Sequence, residues 1–216
     1  MQPLRRDHRR GIDVSRHQGK IDWRAVAGDG TGFVFIKATE GVGYSDPRLA
    51  ENSAGAAEAG IPAGFYHFAR VHNDPTQEAR WFASVAGQYE TVLPHVLDIE
   101  DARVSLQRLL TPDELLEWVL AWLHEVRAVT RKPCMIYSGA HFINERLAPA
   151  KGSAELRSYP LWVANYGVTT PISNPIWDRW SVFQYTSKGS IKGIRGPVDM
   201  NALDDCLESS SQSYHN

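Results

Sequence analysis

The sequence predicts an α/β protein with one domain: an irregular (β/α) TIM-like barrel of about eight strands, with helices missing in the last third. Three observations carry this. Short apolar runs recur along the chain, and through the first two thirds they alternate with helical patterns, the order that gives a parallel sheet with right-handed crossovers. After about residue 158 the apolar runs continue, but their connections turn rich in Pro, Gly, Ser and Thr and lose any amphipathic period. Nearly every run ends on a polar or aromatic side chain, and a β/α barrel holds its site at the C-terminal ends of its strands. An open doubly wound sheet is the alternative arrangement of the same elements.

In chain order, Gly11–Val14 reads as the first strand and Phe33–Lys37 as the second. Asp46 and Pro47 supply an N-cap and a first-turn proline, and Gly60 with Pro62 supplies the stop. Ala63–Phe68 is the third strand. Asp74 and Pro75 open a helix reaching about Tyr89, with Gln77 placed for a capping box. Pro94 precedes an apolar run, His95–Ile99. Thr111, Pro112, Asp113 and Glu114 begin the clearest helix, whose Leu115, Val119, Trp122, Val126 and Val129 step by four and three and share one face. Cys134–Tyr137 follows as a strand and His141–Leu147 as a shorter helix. Leu161–Ala164, Val182–Tyr185 and Val198–Met200 complete the strands. The expected division is an arm over residues 1–10, a barrel over 11–208 and a flexible tail over 209–216.

With 216 residues, 43% of them hydrophobic, the chain can bury a substantial core. A net charge of -2 leaves no basic excess to neutralise phosphates, so nucleic acid is not an expected partner. Arg5, Arg6, Arg9 and Arg10 read as part of a solvated arm. Cys134 lies in an apolar run and reads as a buried thiol; a single bridge to Cys206 stays open. No window is long and apolar enough to span a bilayer, so no membrane insertion is expected, and the charged N-terminus shows no signal peptide. The 8 His lack paired ligand spacing, and the glycines between Gly28 and Gly32 lack a following Lys-Ser/Thr, so neither metal nor cofactor is expected.

The most informative stretch is His95-Val96-Leu97-Asp98-Ile99-Glu100-Asp101. Side chains alternate across a strand, so Asp98 and Glu100 project to the same side. Two carboxyls buried together push one toward its protonated form, which is the pairing that glycoside hydrolysis needs. The other strand ends carry Asp13, Lys37, Tyr66, His67, Tyr137, Trp162, Asn165, Gln184, Tyr185 and Asp199. Convergence places Asp13, Asp98, Glu100 and Asp199 around one opening. Trp23, Trp162, Trp177 and Trp180 flank the strand ends or loops and offer flat faces to sugar rings, whereas Trp118 and Trp122 read as core.

These residues together resemble glycoside hydrolase family 25, the N-acetylmuramidase lysozymes of bacteria, phages and fungi. The resemblance runs from Gly11 to Leu203. It rests on Gly11–Ser15, His17–Gly19, Ile21–Trp23, Phe35–Gly41, Gly64–Phe68, Leu97–Glu100, Ile136–Ser138, Leu161–Tyr166, Phe183–Tyr185 and Val198–Asn201. It implies an irregular β/α barrel that cleaves the β-1,4 bond between N-acetylmuramic acid and N-acetylglucosamine in bacterial peptidoglycan. It matches Glu100 to the proton donor, Asp98 to its companion, and Asp13 and Asp199 to the remaining acids. Lys37, Tyr66, His67, Tyr137, Trp162, Asn165 and Gln184 are the expected substrate-binding residues.

On this reading the charge of Asp98 keeps Glu100 protonated. Strand spacing leaves a covalent nucleophile, an activated water and the substrate's own 2-acetamido group all open. The favoured route is acetamido assistance with Asp98 orienting, Tyr137 helping, and net retention. The chain is expected to act as a monomer, secreted or released onto the wall. A chitinase-like glycosidase is a rival, weakened by Val96 where that type carries another Asp. A non-catalytic glycan-binding barrel is the other, and binding alone does not need four carboxylates.

Overall fold

The computed structural model describes residues 1–105 and 108–204. Cys206 and the expected tail over 209–216 lie outside the described residues. Eight strands close into a barrel: β1 (Arg9–Val14), β2 (Phe33–Glu40), β3 (Ala63–Phe68), β4 (His95–Asp98), β5 (Cys134–Gly139), β6 (Leu161–Ala164), β7 (Val182–Gly189) and β8 (Val198–Leu203). β1 through β7 run parallel where they pair, and β1 pairs with β2 on one side and β8 on the other. The final strand runs antiparallel to both neighbours, β7 and β1. This reversal puts the first residues of β8, not its last, at the mouth where the other strands end.

The alternation of side chains divides the apolar residues into two layers. Phe33, Phe35, Val96, Met135, Trp162, Val182 and Leu203 fill the barrel interior. Ile12, Val34, Ile36, Phe65, Leu97, Ile136, Val163 and Phe183 point outward, under the surrounding helices. Two glycines make the interior possible. A Cβ at Gly11 would lie 2.3 Å from the ring of Phe33, and one at Gly64 would lie 2.5 Å from that of Phe35.

Among the described residues, four helices cover the crossovers from β1 to β5: α1 (Trp23–Gly28), α2 (Leu49–Glu58), α3 (Pro75–Ala86) and α4 (Pro112–Thr130). α4 opens with a complete capping box between Thr111 and Glu114. Its apolar face buries Leu115, Val119, Trp122 and Val126, but Val129, expected on that face, is exposed one turn later. α3 has the Asp74 side chain accepting from Gln77 N at 2.9 Å. The expected cap at Asp46 is a correction. α2 starts at Leu49, and the buried Asp46 carboxylate instead accepts from Arg16 N at 3.0 Å and Arg48 N at 2.9 Å. It tethers the turn after β1.

After Leu147 the connections hold one 3-10 stretch, Ser153–Ser158, and long irregular loops. Their packing relies on buried indoles whose N–H groups reach backbone carbonyls: Trp177 to Tyr159 O and Trp180 to Gln2 O, both at 2.9 Å. Gln2 also donates to Trp180 O at 2.7 Å, so the start of the chain is stitched to the last third. Arg9 and Arg10, expected in the arm, begin β1. Cys134 is a free buried thiol, and burial pushes its pKa up to about 12.

Candidate active site

The mouth of the barrel holds a cavity of about 330 Å³. Asp13, Asp98, Glu100 and Asp199 line it together with Lys37, Tyr66, Tyr137, Trp162 and Gln184. Strand register explains the gathering. Asp13 and Asp199 are cross-strand partners between β1 and β8, and Lys37 pairs with Tyr66 between β2 and β3. Asp98 pairs with Tyr137, which pairs with Trp162, across β4, β5 and β6. Glu100 stands two residues past Asp98, beyond the strand, accessible to solvent at the cleft wall.

Asp13 is the most tightly held acid. Its Oδ2 accepts from Gln184 Nε2 and Asn201 Nδ2, each at 2.8 Å. Asn201 Oδ1 in turn accepts from the Trp162 indole N–H at 2.8 Å. An indole nitrogen only donates, so the Asn201 amide is oriented with its NH2 toward Asp13. Gln184 Oε1 accepts from Tyr137 at 2.8 Å and Tyr166 at 2.7 Å, which fixes its amide the same way. Burial, then the charge of Asp199, pushes the Asp13 pKa up to about 7, against the pull of its two amide donors.

Asp98 is buried, and its Oδ1 has no hydrogen-bond partner among the described residues. Burial first, then the charge of Glu100, drives its pKa well above the ordinary carboxylate value. Glu100 is raised too, by burial, opposed by its hydrogen bonding with Tyr137 and by the charge of Lys37. Asp199 is raised by burial and by Glu100. Asp98 is the more deeply buried of the two, and burial is the first cause that raises both.

One cation faces these acids. Lys37 Nζ lies 2.6 Å from Glu40 Oε2, and Arg70 Nε donates to Glu40 Oε1 at 2.9 Å. Burial works against the Glu40 charge, but the hydrogen bonds from Lys37 and Arg70 prevail and hold its pKa low. The ammonium also sits 4.9 Å from the Phe68 ring centroid.

Two expected binding residues lie elsewhere. His67 is fully buried on the outer side of the barrel, with Nδ1 2.7 Å from Thr39 Oγ1 and Nε2 2.7 Å from Glu78 Oε2. It follows Tyr66 on β3, so alternation turns it away from the cleft. Burial lowers its pKa, against the opposing pull of Glu78. The side chain of Asn165 folds its own loop, accepting from Ile172 N at 3.0 Å. Among the tryptophans only Trp162 lines the cleft; Trp23, Trp177 and Trp180 are buried outside it.

Asn201 and Tyr166 belong to the network, and Ser15, His17, Gln18 and Phe68 line the cleft, although none was singled out as a site residue. Asn201 follows Asp199 by two residues, so the strand period already placed it on the same face. Tyr166 lies past the end of β6, where periodicity gives no signal.

Carboxyls held toward their protonated forms at the mouth of a barrel, with aromatic walls, define a glycoside-cleaving class of enzyme. Comparison with known proteins narrows the class: the chain belongs to glycosyl hydrolases family 25, whose family model matches residues 12–194. Lysozyme M1 of Streptomyces globisporus is 36% identical over 196 residues, covering 88% of this chain and 66% of that protein. This chain thus spans just under two thirds of that relative's length. The solved bacterial lysozyme from Streptomyces coelicolor superposes with a TM-score of 0.83 at 34% identity, covering 93% of this chain and 94% of that one. The family GH25 lysozyme from Aspergillus fumigatus gives 0.81 at 29% identity, covering 94% and 97%.

Proposed function

We propose that this chain is a muramidase that hydrolyses the β-1,4 bond between N-acetylmuramic acid and N-acetylglucosamine, acting on peptidoglycan strands as a secreted or released enzyme. Glu100 is the general acid. The unpartnered, buried Oδ1 of Asp98 beside it is the observation that carries the mechanistic reading. A buried acceptor without a donor costs free energy, and the N–H of a bound sugar's 2-acetamido group would satisfy it.

In this scheme Glu100 gives its proton to the departing glycosidic oxygen. The acetamido oxygen attacks the anomeric carbon, and the cyclic intermediate carries its positive charge beside Asp98. The carboxylate left on Glu100 then takes a proton from the water that opens the intermediate. Two inversions give net retention. Asp13 and Asp199 stabilise the oxocarbenium-like transition state electrostatically. Tyr137, whose hydroxyl hydrogen is committed to Gln184, presents its oxygen as an acceptor to the proton of Glu100 and so orients the acid. Lys37, Tyr66, Trp162 and Gln184 contact the sugars.

Mass spectrometry of fragments from purified peptidoglycan tests the bond, and proton NMR of the first-formed anomer tests the route. The reading expects muramic acid at the new reducing end and an initial β anomer. Reducing-end glucosamine would overturn the bond assignment, and an initial α anomer would overturn retention.

A further inference from the structure

A second concavity, of about 1430 Å³, lies beside the acidic cleft between the turn after β1, the helices α1 and α2, and the Gly193–Arg195 loop. His17 and Gln18 line both. They sit on a rigid partition: Ser15 N donates to Gln18 Oε1 at 2.9 Å and His17 N donates to Ser15 Oγ at 3.2 Å. The floor is built from a buried tryptophan and small residues. Trp23 lies against Gly55, where a Cβ would fall 2.1 Å from the indole, and Ala27, Ala54 and Ala59 keep the walls low.

The charges of this groove differ from those of the cleft. Lys20, Arg24 and Arg195 are exposed on it, and none of the three has an ion-pair partner among the described residues. Its acids are largely engaged: Asp22 caps α1 through Ala25 N, and Glu51 pairs with Arg48. Glu58 remains. The groove thus offers three cations without an ion pair, Lys20, Arg24 and Arg195, against two such acids, Asp22 and Glu58, among the described residues.

We infer that this groove receives the peptide attached to the muramic acid, a short mixed-charge chain whose carboxylates outnumber its amine. The inference rests on the muramidase reading for the origin of the peptide. That peptide hangs from the lactyl group of the sugar being cleaved, so it must leave the cleft beside that sugar, and the shared His17–Gln18 wall is an exit on the page. Carboxylates meet Lys20, Arg24 and Arg195, and the amine meets Glu58. Each exposed pair is weak, but three act together.

Titration of the capped tetrapeptide N-acetyl-L-Ala-γ-D-Glu-L-Lys-D-Ala, whose acetyl group stands in for the lactyl amide, into the wild-type protein tests this by NMR. Expected are shifts at Lys20, Trp23, Gly55 and Arg195, and about a tenfold weaker Kd in the double variant Arg24→Glu/Arg195→Glu. The same variant should lose about tenfold in kcat/KM on peptide-bearing glycan and nothing on glycan stripped by an amidase. Shifts confined to the cleft, no shifts, or equal losses on both substrates would overturn the inference. The free peptide has no glycosidic bond, so its binding is read apart from hydrolysis and stands or falls separately from the muramidase reading.

Discussion

Asp13→Asn isolates the stability cost of holding an acid in the cleft. The pKa of Asp13 rises from an ordinary 3.8 to about 7 because burial and Asp199 disfavour its charge. An acid raised in the folded state keeps its proton longer there than in the unfolded chain. Its stabilising contribution is therefore complete below the unfolded pKa and is lost as pH rises through the folded one. Between pH 5 and pH 8 the loss from this group integrates to about 2.5 kcal/mol, at about 1.4 kcal/mol per pH unit. Asparagine preserves the packing, since its carbonyl oxygen can take the position of Oδ2 and accept from Gln184 and Asn201. Relative to wild type, the variant should gain about 2.5 kcal/mol more at pH 8 than at pH 5, measured by urea unfolding at both values. Its activity should fall sharply. An offset that is the same at both pH values would refute the claim that Asp13 resists ionisation in the folded cleft.

Asn201→Leu strands the Trp162 indole N–H and removes one donor from Asp13, and should cost about 1–3 kcal/mol in chemical denaturation. Gly64→Ala drives a methyl into the Phe35 ring and should lower stability by about 1–3 kcal/mol, partly restored by adding Phe35→Leu; a neutral result would deny the close approach. His67→Phe leaves Glu78 buried without its ring partner, although Arg70 N and Asn73 still donate to it, and should cost about 1–3 kcal/mol, while KM for the folded fraction stays at the wild-type value; a selective rise in KM would return His67 to the cleft.

Much of this arrangement was legible before any coordinates. The period-2 rule placed Asp98 and Glu100 on one wall, and recurrent polar strand ends located the mouth. The same rule, applied strictly, would have excluded His67, because Tyr66 and His67 are consecutive and cannot both face inward. The direction of β8 was not legible. Val198–Met200 reads identically in either sense, and only pairing with β1 and β7 reveals that Asp199 enters the cleft from the start of its strand. A bulge was equally hidden. In β2 the register jumps between Lys37 and Thr39, so Thr39 joins His67 outside while Lys37 stays within. The unequal depth of Asp98 and Glu100 was hidden too, because sequence carries no depth beyond alternation.

The account turns on Glu100 as proton donor. The direct measurement is the release of reducing ends from purified peptidoglycan by Glu100→Gln, with circular dichroism confirming an unchanged fold. The account predicts a loss of at least about a hundredfold with the melting transition retained. Release within a few-fold of wild type would contradict it.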